Sequence, residues 1–199
     1  MNKFSVPQPI SAIQAIRWVL AATPQREERE GSIMLVTDRH SYTYQRMHTL
    51  IVELALAGPV KVLIGGNRYD HYRVNYALAA ATPLYEYILR HHIHLSRAET
   101  CYQMVELLTQ TQADSVPCLV LDLLTTFYDE GIPEREINQL LFETILQLRR
   151  LSRGAAVTVS AHAEEKRPQL LKVIENAVDR VEGPQTLSFQ PIRQPVLFG

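Results

Sequence analysis

The sequence predicts an α/β fold in which a mainly parallel sheet is covered by helices on both faces, because short apolar runs alternate with helical segments along most of the chain. The run Pro117 to Thr126 is the most informative of them. Cys118, Leu119, Val120 and Leu121 are continuously apolar, as in a strand buried on both faces, and Asp122 then places a carboxylate at the carboxyl edge, where open α/β sheets bind ligands. At 199 residues, 46% hydrophobic and 21% charged, the chain is long enough for one sizeable core. The expected division is an amino-terminal helix and linker over 1–31 and one core domain over 32–199.

Each element has its own signal. Residues 9–22 read as an amphipathic helix through Ile10, Ile13, Ile16 and Leu20, and Thr23 to Gly31 is a polar linker. Ile33 to Val36 is a short strand. The next helix, Tyr44 to Ala57, stops at Gly58-Pro59. Val60 to Ile64 is a strand closed by Gly65-Gly66-Asn67, followed by a helix from about Asp70 to Ala81 and a short one from Pro83. His92 to Leu95 is the third strand, Ala98 to Thr109 a helix, and Cys118 to Asp122 the fourth strand. The helix Glu134 to Leu151 aligns Ile137, Leu140, Leu141, Ile145, Leu148 and Leu151 on one face. Ala155 to Val159 is the fifth strand; after it, pieces around Ala177–Val181 and Thr186–Phe189 predict a C-terminal antiparallel hairpin through Gly183-Pro184.

Bulk properties exclude several classes. With 20 Lys and Arg against 21 Asp and Glu, the net charge of -1 argues against coating nucleic acid through global charge. Cys101 and Cys118 form no CxxC pair, so neither a disulfide framework nor a zinc knuckle is expected, and a reducing, cytoplasmic setting fits. No apolar run reaches the roughly 18 residues of a membrane span. GxSxG, HExxH and any evident nucleophile–base pair are missing as well.

Ile93-His94-Leu95-Ser96-Arg97-Ala98 leading into a helix that ends in Leu107-Leu108, Leu119-Val120-Leu121-Asp122 followed by Thr125-Thr126, and Leu148 to Arg153 followed by Ala156 to Ser160 occur in an order similar to the core of RecA-type recombinases and their paralogues. The resemblance covers about residues 32–190. It implies a RecA-like three-layer fold in which Asp122 occupies the magnesium-ligand position of the second nucleotide motif. The phosphate loop would lie at Thr37 to Tyr44, but no glycine or lysine is present there and Asp38 would repel a phosphate. The catalytic carboxylate position past the second strand holds Gly65-Gly66-Asn67, and Ser160-Ala161-His162 stands where a phosphate-sensing polar residue is expected.

The expectation is therefore a non-catalytic RecA-like accessory protein with no cofactor, acting by contact with another RecA-fold protein or by self-association, with weak single-stranded DNA binding in recombination or repair. The alternative is a divergent magnesium-dependent ATPase or nucleotide switch using Asp122, Arg39, Ser41 and Thr43. Candidate nucleic-acid contacts are Arg68, Tyr69, Tyr72 and Arg73, an aromatic-basic stretch suited to stacking bases, and Lys166 and Arg167, where the resembling family has a DNA-contacting loop. Each has an ordinary reading beside it: a strand-end carboxylate for Asp122, a plain turn for Gly65-Gly66, interface or half-buried tyrosines, and helix-capping arginines at Arg149, Arg150 and Arg153.

Overall fold

In a computed structural model, which describes residues 31–37, 40–66 and 69–183, six strands form one all-parallel sheet in the order β3-β2-β4-β5-β1-β6. The elements are β1 (Ile33–Val36), α1 (His40–Ala57), β2 (Val60–Gly65), α2 (His71–Ala81), α3 (Tyr85–His91), β3 (Ile93–Ala98), α4 (Cys101–Gln110), β4 (Cys118–Leu121), a 3-10 turn (Leu123–Phe127), α5 (Glu134–Ser152), β5 (Val157–Ser160), α6 (Gln169–Ala177) and β6 (Arg180–Glu182). The segment 9–22 and the return arm of the expected hairpin, Thr186–Phe189, lie outside the described residues.

Three layers result because the sheet is apolar on both faces. On one side Met47, Ile51 and Ala55 of α1, Val74 and Leu78 of α2 and Ile88 of α3 cover Val60, Val62 and Ile64. On the other, Met104 and Leu108 of α4, Ile137, Leu141 and Leu148 of α5, and Leu170 and Ile174 of α6 cover Leu63, Val120 and Val159. Every residue of β4 and β5 is buried, and each such Leu or Val side chain contributes about 1.5–3 kcal/mol relative to exposure. Asp70 and Thr100 cap α2 and α4 by accepting from the N–H groups of Arg73 and Gln103.

Several elements differ from the sequence expectation. Helix α1 starts at His40 rather than Tyr44, and β3 continues to Ala98, where a helix was expected to begin. Within the segment 163–174 the sequence suggested no element, yet α6 forms, with Pro168 directly before its first residue, a position that needs no amide donor. The expected antiparallel hairpin is not shown among the described residues: its first arm is β6, paired parallel to β1 with Leu35 opposite Val181. The cause is α6 itself, since a helix between two strands of one sheet brings the chain back in the same direction.

Candidate functional site

A parallel sheet gathers the carboxyl ends of all its strands at one edge, which here brings Thr37, Gly65-Gly66, Ala98, Asp122, Ser160 to His162 and Glu182 to the same rim. Asp122 is its most unusual residue. It is 9% exposed and adopts φ 51° and ψ 44°, the only positive φ among the described non-glycine residues. That conformation costs an L-residue about 1–2 kcal/mol, least for Asp and Asn. The distortion turns the chain abruptly from β4 into the 3-10 turn. The Asp122 N–H donates to Ser160 Oγ at 2.9 Å, its carbonyl accepts from Thr125 N–H at 3.1 Å, and its Oδ1 lies 3.8 Å from Nδ1 of buried His162. Tyr128 closes the group by donating its hydroxyl to the His162 carbonyl at 2.6 Å, and burial pushes its pKa up to about 12.

Gly65 and Gly66 serve this packing. A Cβ on Gly65 would stand 2.7 Å from the Asp122 carbonyl oxygen, and Gly66, at φ +82°, faces the Thr125 side chain. Their bare backbone is filled by the neighbouring strand end, as in a plain turn.

The resemblance raises a triphosphate and magnesium, and the turn after β1 tests the fit. Only residues 37–39 separate β1 from α1, whereas a phosphate loop runs to about eight residues with glycines and a lysine. Thr37 N–H is already committed to the Glu182 carbonyl at 3.0 Å. The Glu182 carboxylate accepts from Tyr42 Oη at 3.1 Å and Arg46 Nε at 2.7 Å, which sets a negative charge and two donors' worth of contacts against the first turns of α1. Burial alone would raise the Glu182 carboxyl pKa, but the Arg46 hydrogen bond and charge outweigh it and hold it low. Arg39 lies outside the described residues; Ser41 is exposed, and Thr43 is 3% exposed with no hydrogen-bond partner for its hydroxyl among the described residues. These residues do not fit the group. Among the described residues no cluster of three or more His, Cys, Asp or Glu could hold a metal ion.

The nucleic-acid candidates divide between the two faces. Arg68 lies outside the described residues. Tyr69 packs against the α1–α2 core, with its pKa raised to about 12 by burial, while Tyr72 is 73% exposed. Arg73 places its guanidinium 5.6 Å from the centre of the Tyr44 ring. On the α5–α6 side, Lys166 pairs with Glu130, and the Arg167 guanidinium donates to the carbonyls of Phe127, Asp129 and Ile132 at 2.9–3.0 Å. Arg167 thus straps the loop that follows the 3-10 turn. Arg149 and Arg150 cap neighbouring helices rather than their own: Arg149 reaches the Ala177 carbonyl of α6, and Arg150 reaches the carbonyls of Leu108, Thr109 and Thr111 at the end of α4.

Sequence reasoning missed Tyr128, Glu182 and His48. Tyr42 and Glu182 are 140 positions apart, so no local pattern connects them. His48 had a weak signal, an imidazole on the apolar stripe of a helix. No protein-family model matches the chain, and no curated protein matches it.

Proposed function

We propose that the protein is a non-catalytic RecA-like accessory factor that works by protein–protein contact, its partner being another RecA-fold protein or a second copy of the chain. The reading carries with it a cytoplasmic setting and weak single-stranded DNA binding in recombination or repair. The observation that carries the non-catalytic part is the three-residue passage from β1 to α1, closed by the Thr37–Glu182 hydrogen bond, at the position where the resemblance would put the phosphate loop. Magnesium usually keeps one or two carboxylates together with substrate phosphates, so Asp122 without a phosphate cradle is a weak ligand.

The protein-contact part is supported by β3. This six-residue strand ends the sheet, and His94, Leu95, Ser96 and Arg97 are all exposed. The His92 and Ala98 carbonyls accept from Val60 N–H of β2 and from Gly66 N–H just past it, so by the two-residue period the peptide groups of Ile93, Leu95 and Arg97 point outward, and no described strand pairs with them. Such an edge accepts an added strand. No described helix is long and apolar enough to cross a membrane.

The experiment has three arms. Titration with ATP and magnesium is expected to give no saturable binding; binding that Asp122→Asn abolishes would establish the nucleotide-switch alternative. Leu95→Pro removes an outward donor while leaving the β2 ladder intact, and is expected to abolish association with a RecA-fold partner or with itself at unchanged stability. Undiminished association of Leu95→Pro would refute the edge. Binding to a short single-stranded oligonucleotide is expected at low salt and to fall steeply as salt rises.

A further inference from the structure

His48 sits on α1 with 2% of its surface exposed, and its surroundings fix both ring nitrogens. The Asp70 backbone N–H points at Nε2 from 3.0 Å; an amide can only donate there, so Nε2 is bare. The Tyr44 carbonyl stands 2.7 Å from Nδ1 and can only accept, so Nδ1 carries the proton. The ring is therefore neutral and held in one tautomer, with Tyr44 at 4.2 Å and Tyr69 at 5.9 Å between ring centres.

Asp70 is the N-cap of α2. Its Oδ1 accepts from Arg73 N–H at 3.0 Å and its Oδ2 from Tyr44 Oη at 3.1 Å. The same residue thus caps α2 with its side chain and ties that cap to α1 through its own N–H and the Tyr44 hydroxyl. We propose that His48 is an acid-sensitive latch between α1 and α2: proton uptake at Nε2 sets two donors face to face, removes the acceptor for Asp70 N–H, and frees the first turn of α2 from α1.

The charged and titratable groups around the ring decide the direction. Burial disfavours the imidazolium most, and Arg73 on α2 opposes it further. The Tyr44 carbonyl bond and the Asp70 carboxylate favour it. Tyr69 holds its proton over the whole range, and Glu53, which lines a cleft of about 160 Å³ with His48, Thr49, Val52, Arg73 and Ala77, lies on the α1 side of the ring. The balance lowers the His48 pKa, so the latch is closed at neutral pH and opens as pH falls below the ordinary histidine value of about 6.5. If the new cation recruits the Asp70 carboxylate, that carboxylate leaves the Arg73 N–H, and the α2 cap is weakened by the other route.

Nitrogen-15 NMR of the imidazole side chains in the unmodified chain, followed from pH 7.5 to 4.5 together with amide hydrogen exchange, tests this. The expected result is one ring with Nδ1–H and a bare Nε2 at neutral pH, a protonation midpoint below about 6.5, and protection factors for Asp70 and the first turn of α2 that fall about tenfold or more through that midpoint. His48→Gln offers an acceptor that does not titrate, and should make the protection of α2 independent of pH. An Nε2–H tautomer at neutral pH would overturn the proposal, as would α2 protection that stays constant while the ring titrates. Both readings come from the unmodified chain and decide the matter if His48→Gln does not fold.

Discussion

At Asp122 the backbone and the side chain make separable demands. The left-handed conformation is open to glycine, tolerable for Asp and Asn, and hostile to a β-branched residue. Asp122→Val is therefore expected to be less stable than Asp122→Gly by about 1–2 kcal/mol, read as a difference in urea midpoint at equal slope. Asp122→Asn should stay close to the parent in stability, which makes it the suitable variant for nucleotide titration. Glu182 provides a second prediction, this one in pH. Its folded carboxyl pKa is held below the ordinary 4.5, so its contribution is complete above pH 4.5 and is lost as pH falls through the folded value. Glu182→Gln should cost on the order of 1 kcal/mol at pH 7, and its stability curve should run flatter than the parent's below pH 4.5.

Among the elements, the arginines at the end of α5 do more than their position in the sequence suggested. Four carbonyls are left over at the carboxyl end of a helix, and Arg150 supplies donors to those of Leu108, Thr109 and Thr111 at the end of α4. Arg150→Met keeps the apolar stem and removes the fork; we expect a loss of about 2 kcal/mol in chemical denaturation, with partial recovery in Arg150→Lys. Basic residues near a helix terminus were legible in the sequence, but the helix they serve was not. The same division runs through the other elements. The interior strands are legible because burial on both faces favours apolar runs, unbroken in β1 and in Cys118 to Leu121 of β4 and interrupted only by Lys61 in β2 and by Thr158 and Ser160 in β5. Helix α6 was hidden by Pro168, although Leu170 and Ile174 already had helical spacing. The start of α1 differs because the polar residues His40, Ser41 and Thr43 carry no apolar helical signal of their own, although the helix begins at His40.

For the molecule as a whole, the rim that gathers Asp122, Ser160, His162 and Glu182 could be anticipated only in part. The strand ends carrying Asp122 and Ser160 were readable one by one, because each closes an apolar run. Their convergence was not, since the strand order depends on crossovers that leave no local trace, and Glu182 arrives on a strand whose partner in the sheet, β1, lies at the other end of the described residues. The two outermost strands differ from the interior in the same physical sense. Exposed His94 to Arg97 on one side and the three-residue β6 on the other carry little apolar alternation, because an edge has fewer neighbours to satisfy.

The place of β1 in the strand order reaches back to synthesis. Both of its neighbours, β5 and β6, follow it far downstream in the sequence, where Ile33 meets Val157 and Leu35 meets Val181. On the ribosome β1 must wait without these two described partners until they have emerged, a long-range closure that slows assembly and exposes its apolar side chains to chaperones meanwhile. A nascent chain arrested at Gly154 should accordingly remain sensitive to protease throughout, and resistance should appear only once residues through Glu182 have cleared the exit tunnel.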